Sequence, residues 1–154
     1  MSEQVLRPER YSKIARLFDE WMCKVMILSF SNGMVLKGSS YGSTDNYIFE
    51  PDDEDAFRNE NCYRAASLCR IEIIQFPENP KKFVRNDGVR FIWVGSKEDK
   101  QLEEEKGGAL EFDNLYEPDS ITLEDGREIW NLKENWCLRR PVHGDVEPFK
   151  EKIR

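Results

Sequence analysis

Histidine is nearly absent from this chain: there is one, His143, in the loop-like stretch PVHGD. No serine or cysteine lies in a recognisable nucleophile context, which leaves acid–base and covalent catalysis without their usual partners. A glycine-rich phosphate loop is also missing, because Gly38 and Gly42 lack the strand-loop-helix setting and the lysine spacing that would make one. The expectation is a protein that is not an enzyme and holds no cofactor. The four cysteines, Cys23, Cys62, Cys69 and Cys137, form no CxxC pair. Irregular spacing beside strand-like runs points to reduced, buried thiols in an intracellular protein, cytoplasmic or nuclear, rather than to disulfides or a zinc site. No apolar run approaches a membrane span, and MSEQVLRPER lacks the apolar centre of a secretion signal.

What is present is a polar but aromatic-rich composition. Of the 154 residues, 39% are hydrophobic, 34% charged and 12% aromatic, which favours a folded chain over general disorder. The length suits one domain with an extension, or two very small domains. Net charge is −7, and it is concentrated: residues 96–135 hold thirteen acidic side chains against five basic ones. Such a balance argues against broad binding to duplex phosphate, yet leaves room for a local contact to a single strand.

Along the chain, Ile14, Leu17, Phe18, Trp21 and Met22 form one apolar stripe at helical spacing, with Pro8 suited to the first helical turn. The stripe predicts a helix lying on a sheet. Val25 to Phe30 then lead through Asn32-Gly33 into Met34, Val35 and Leu36, a hairpin whose turn is expected to be type I′. Alternation leaves both faces of the first strand apolar, as in a strand covered on two sides. After the polar run Ser39–Asn46 come a short strand Tyr47-Ile48-Phe49, ended by Pro51, and the acidic run Asp52–Asp55. That run lacks the alternate spacing and glycine of a calcium loop, so a solvated loop is expected and no metal site. Residues 56–69 suggest a short helix, and Arg70–Phe76 a strand. Lys82–Gly95, with Asp87-Gly88 at its centre, reads as a second hairpin. The charged segment 96–108 is a connector, ITLEDGREIW over 121–130 a third hairpin, and Arg139-Arg140-Pro141 an exposed basic contact or a loop.

The order of an amphipathic helix, a strand, a polar residue-glycine turn, a strand with a glycine five residues on, and an asparagine before an apolar strand resembles the first motif of the Sm and Sm-like (LSm) proteins. Leu17, Phe18, Val25, Ile27, Asn32, Gly33, Gly38, Asn46 and Ile48 carry it. Phe83-Val84-Arg85-Asn86-Asp87-Gly88-Val89 is similar to the second motif, so the likeness spans residues 8–95. The chain departs from the pattern at Gly42, Asp45 and Asn86, where the family has an acidic, a large apolar and a glycine residue. The resemblance implies a mainly β (α+β) fold: a small, strongly bent antiparallel barrel of Sm-like or SH3-like kind with an N-terminal helix. Residues 109–154 would then be an acidic, β-containing extension, able to pack on it as further strands. It also implies assembly through edge strands and binding of single-stranded, uridine-rich RNA. By position Asn46 would meet a base edge, Tyr47 would stack, and Arg85 would reach a base or phosphate. The blander reading puts Asn46 in a turn, Tyr47 in the core and Arg85 against Asp87.

The expected function is therefore a non-catalytic Sm-like subunit of an RNA-associated or ribonucleoprotein-assembly complex, acting mainly through protein–protein contacts in an oligomer or hetero-complex. The rival reading is an acidic inhibitor or immunity-type protein whose Glu103, Glu104 and Glu105 dock on a basic nucleic-acid-binding or enzyme surface.

Overall fold

In a computed structural model of the chain, residues 8–47, 62–75, 109–141 and 147–154 are described. The Asp52–Asp55 run, the Lys82–Gly95 hairpin with Arg85, the connector with Glu103, Glu104 and Glu105, and His143 lie outside the described residues. The architecture is mainly β: the described residues form one short helix and eight strands in a single antiparallel sheet that is not closed. No helix among the described residues is long and apolar enough to cross a membrane.

The helix, α1, spans Lys13–Glu20 and starts later than Pro8 suggests. Ser12 is its N-cap, its hydroxyl accepting a hydrogen bond from the Ala15 N–H, which satisfies one of the donors left open at a helix start. Ile14, Leu17, Phe18 and Trp21 of the predicted stripe are buried. Met22 is not: the helix ends before it, and it is half exposed.

The strands are β1 (Val25–Ser29), β2 (Val35–Tyr47), β3 (Cys62–Gln75), β4 (Ala109–Phe112), β5 (Ser120–Leu123), β6 (Glu128–Asn131), β7 (Trp136–Arg139) and β8 (Phe149–Lys152). Their order is β4-β3-β2-β1-β5-β6-β7-β8. Two expectations are corrected here. The polar run Ser39–Asn46 is strand, continuous with the hairpin, because β3 pairs with β2 all the way to Tyr47↔Cys62. Residues 62–69 belong to β3 and are not helical, for the same reason. Cross-strand hydrogen bonding overrides the weak propensity of serine and alanine for strands.

Both described glycine turns are built alike, and neither is type I′, which requires positive φ at two residues. In the first, Phe30 N–H donates to the Met34 carbonyl, Gly33 N–H to Phe30, and Asn32 Oδ1 accepts from Met34 N–H. In the second, Leu123 pairs with Arg127, Gly126 N–H donates to Leu123, and Asp125 Oδ1 accepts from Arg127 N–H. Gly33 (φ 90°) and Gly126 (φ 92°) alone take the left-handed conformation, the signature of three-residue loops with glycine at the last position.

β5 pairs with β1 (Ile27↔Thr122, Leu28↔Ile121), so the later strands continue the same sheet. The sheet curls around α1. On one side Arg64 N–H donates to the Arg10 carbonyl, and Tyr11 bridges Arg64 in parallel. On the other, Trp21 Nε1 donates to the Leu138 carbonyl at 2.9 Å and Lys13 Nζ to that of Lys152. The helix thus fills the space between β3 and β7–β8. One core follows, running from Ile14, Leu17 and Phe18 through Met26, Leu28 and Leu36 to Ile121, Ile129, Trp130 and Ile153. Phe112 meets Phe18 and Phe30 edge to face at centroid separations of 5.3 and 6.1 Å.

Candidate functional site

The described part of the molecule has a groove of about 650 Å³ over the bend of β2 and β3, reaching β1 and β4. Its walls follow from two register shifts in the β2–β3 pairing, between Lys37 and Ser39 and between Ser40 and Ser43, which bend both strands. Three left-handed residues mark the same place. Cys23 (φ 65°) and Arg70 (φ 54°) line the groove, and Gly42 (φ 83°) follows Tyr41 in its wall. Non-glycine residues in this conformation are uncommon, and they gather where a surface is shaped for a purpose.

Tyr41 is 64% exposed, and Arg70, also exposed, lines the same groove. Glu111 adds a carboxylate reached by the Thr44 hydroxyl at 3.4 Å. Two thiols face the same space: Cys69, whose sulfur donates to the Ser39 carbonyl at 3.5 Å, and Cys23, exposed rather than buried as its sequence setting suggests. An exposed aromatic face with a cation and a row of hydroxyls can take a planar ring by stacking and an anion by charge.

The groove is anchored to α1 by a polar network. Asp19 accepts from the Ser43 N–H (2.7 Å) and hydroxyl (2.8 Å) and from the Tyr11 hydroxyl (2.5 Å). Arg64 donates through Nε to the Ser43 hydroxyl and through Nη2 to its carbonyl, at 2.7 and 2.9 Å. Arg16 and Arg64 also lie over the Tyr11 ring. All these partners are satisfied within the network, so it fixes the bend.

Of the predicted site residues, Asn46 and Tyr47 are brought to the far end of β2, opposite Tyr63 and Cys62 of β3, so Asn46 belongs to a strand and not to a turn. Arg85 and the three glutamates lie outside the described residues. Sequence reasoning missed Tyr41 and Arg70 as a pair. The available signal was glycine on either side of Ser39–Tyr41, since isolated glycine in a strand marks a bulge or a close approach.

A second feature is electrostatic. Asp113, in the turn from β4 to β5, is fully buried; one carboxylate oxygen accepts from Leu115 N–H at 2.8 Å and the other has no hydrogen-bond partner. Burial pushes its carboxyl up to about 6, against the pull of the Leu115 bond. Glu117, its side chain 2% exposed, is pushed by burial to about 7, although Arg154 binds it and opposes the shift. Among the described residues no group of three or more His, Cys, Asp or Glu side chains is arranged to hold a metal ion.

Comparison with protein-family models, with curated proteins and with solved structures finds no match for this chain.

Proposed function

We propose that the chain is a non-catalytic, Sm-like subunit of an RNA-associated or ribonucleoprotein-assembly complex, working mainly through contacts with other protein subunits and touching single-stranded RNA. The observation that supports it is the five-strand order β4-β3-β2-β1-β5 with α1 laid on the sheet. The resemblance implies a helix on a strongly bent antiparallel sheet, and an open antiparallel sheet carrying one helix is compatible with that expectation. The strands beside β3 and β1 come from residues 109–112 and 120–123, later in the chain than the second motif.

Edge strands join Sm-like subunits into rings. Here β5 is flanked on both sides, by β1 and by β6, which counts against a ring of identical copies closed through β5. Lysines at 150 and 152 on the outer strand β8 discourage edge pairing there too. A subunit that joins partners of other sequence fits this edge arrangement. The groove with Tyr41 and Arg70 offers the stacking and hydrogen-bonding chemistry for unpaired bases.

Light scattering, alone and with a short oligouridine, and fluorescence anisotropy of the labelled oligomer test the proposal. The expected results are an 18.2 kDa monomer without partners and oligouridine binding that Tyr41→Ala weakens. Stacking on one base is worth about 1–3 kcal/mol, so the loss should be roughly fivefold or greater. A monomer that takes up no oligouridine would remove the RNA contact, and a ring-sized homo-oligomer would remove the hetero-assembly argument.

A further inference from the structure

Two arginines from distant parts of the chain converge on one indole. The guanidinium carbon of Arg127, in the β5–β6 turn, and that of Arg140, just after β7, each lie 5.2 Å from the centroid of the Trp21 ring. Trp21 is fixed by its Nε1 bond to the Leu138 carbonyl and is 1% exposed. A buried indole held in this way is a rigid platform. Stacked guanidinium groups keep their N–H edges directed away from the ring, free for an oxygen ligand.

The neighbouring Arg139 shows what a structural arginine looks like here. It gives Nε and Nη2 to Glu20 and Nη1 to Glu151, at 2.6–3.0 Å, and is 17% exposed. Arg140 has no carboxylate at ion-pair distance among the described residues; its contact with Glu20 is through its backbone N–H. Arg127 has only Asp125, at 3.4 Å, with both side chains at least half exposed. Two cations on one platform repel each other, and Asp125 offsets this only at Arg127, through an exposed and solvent-screened pair.

We propose that Arg127 and Arg140, stacked on Trp21, are a binding site for the backbone phosphates of single-stranded RNA. This rests on the RNA contact proposed above and assigns the phosphate-holding side chains, with Tyr41 supplying the base contact. Two cations suit a short single-stranded contact and are too few to hold a duplex against a net charge of −7.

Oligouridine binding by the full chain, measured by anisotropy across a range of salt concentrations, tests it with Arg127→Gln/Arg140→Gln and with the Lys/Lys pair. Circular dichroism and thermal melts establish that each variant is folded. Each lost single-strand phosphate contact lowers the salt slope by about 0.7, so the Gln/Gln variant should lose roughly 1.4 in slope and on the order of tenfold in affinity at 0.1 M salt. The Lys/Lys variant keeps the charge and should recover most of the slope. A folded Gln/Gln variant with wild-type affinity and slope overturns this assignment while leaving the RNA contact itself standing. Wild-type protein that binds no oligouridine overturns both. Inorganic phosphate that displaces the labelled oligouridine at the affinity of unlabelled oligouridine would show a free-phosphate site and would also overturn the RNA assignment.

Discussion

At the scale of single residues, Asp113 sets the clearest pH dependence. Its folded carboxyl titrates near 6, above the ordinary 3.8, so the folded state holds the proton more tightly than the unfolded one. The contribution to stability is complete below about pH 4 and is lost as pH rises through 6. A shift of this size corresponds to about 3 kcal/mol at most. Melting temperatures from pH 4 to 8 should fall less steeply for Asp113→Asn than for the parent, and the variant should be the more stable at pH 8. Equal slopes would mean that the buried oxygen is not without a partner. Glycines give a graded series at the same scale. Alanine at Gly126 meets nothing within 4 Å and should lose only the left-handed backbone term, about 1 kcal/mol. At Gly38 the new Cβ would lie 2.8 Å from Leu68 Cγ and 2.9 Å from the Cys69 carbonyl oxygen, so β2 and β3 must separate. Gly38→Ala should therefore be the more damaging in urea denaturation, by roughly 1–3 kcal/mol of overpacking.

Between elements, the join of α1 to β7 and β8 depends on Arg139. Glu20 is 8% exposed and faces this one guanidinium, while Glu151, held below the usual carboxylate range chiefly by its bond to Arg139, takes the other edge. Arg139→Ala would strand Glu20 in a poorly hydrated place, with an expected loss of about 3 kcal/mol, whereas replacing Glu20 and Arg139 together with Gln and Met should be less harmful than the single change. Denaturation midpoints of Glu20→Gln, Arg139→Met and the double variant decide it, and additive losses would sink the coupling. This join was not legible in the sequence, because nothing local links a glutamate at 20 to an arginine at 139. The glycine hairpins were legible, since Asn32-Gly33 and Asp125-Gly126 each specify their own turn; what failed was the turn type, which depends on one more residue than the dipeptide shows. Ser39–Asn46 read as a connection because its hydroxyls carry no hydrophobic period. Its strand character is imposed by β3, and with it the placing of Tyr41 and Arg70 on one groove, so the groove could not be seen until the β2–β3 register was known.

At the scale of the whole molecule, the resemblance implied a barrel and the composition an acidic extension, but the charge shift near residue 96 says nothing about strand pairing. The pairing of β5 with β1 places Ile129 and Trp130 in the same core as Leu36 and Phe18. Hydrophobic burial is shared between the two halves, and neither can lose its part without exposing the other's. The described sheet should unfold as one cooperative unit. Leu36→Ala in β2 and Ile129→Ala in β6 are both deletions at fully buried positions, and each should lower stability by about 2–5 kcal/mol. Near-ultraviolet circular dichroism reports on the tryptophans and far-ultraviolet on the strands. Both probes should follow a single transition that moves to lower denaturant in either variant. Two transitions, with Ile129→Ala moving only one of them, would show that residues 109–154 fold on their own and that the β1–β5 pairing is a weak dock between independent units.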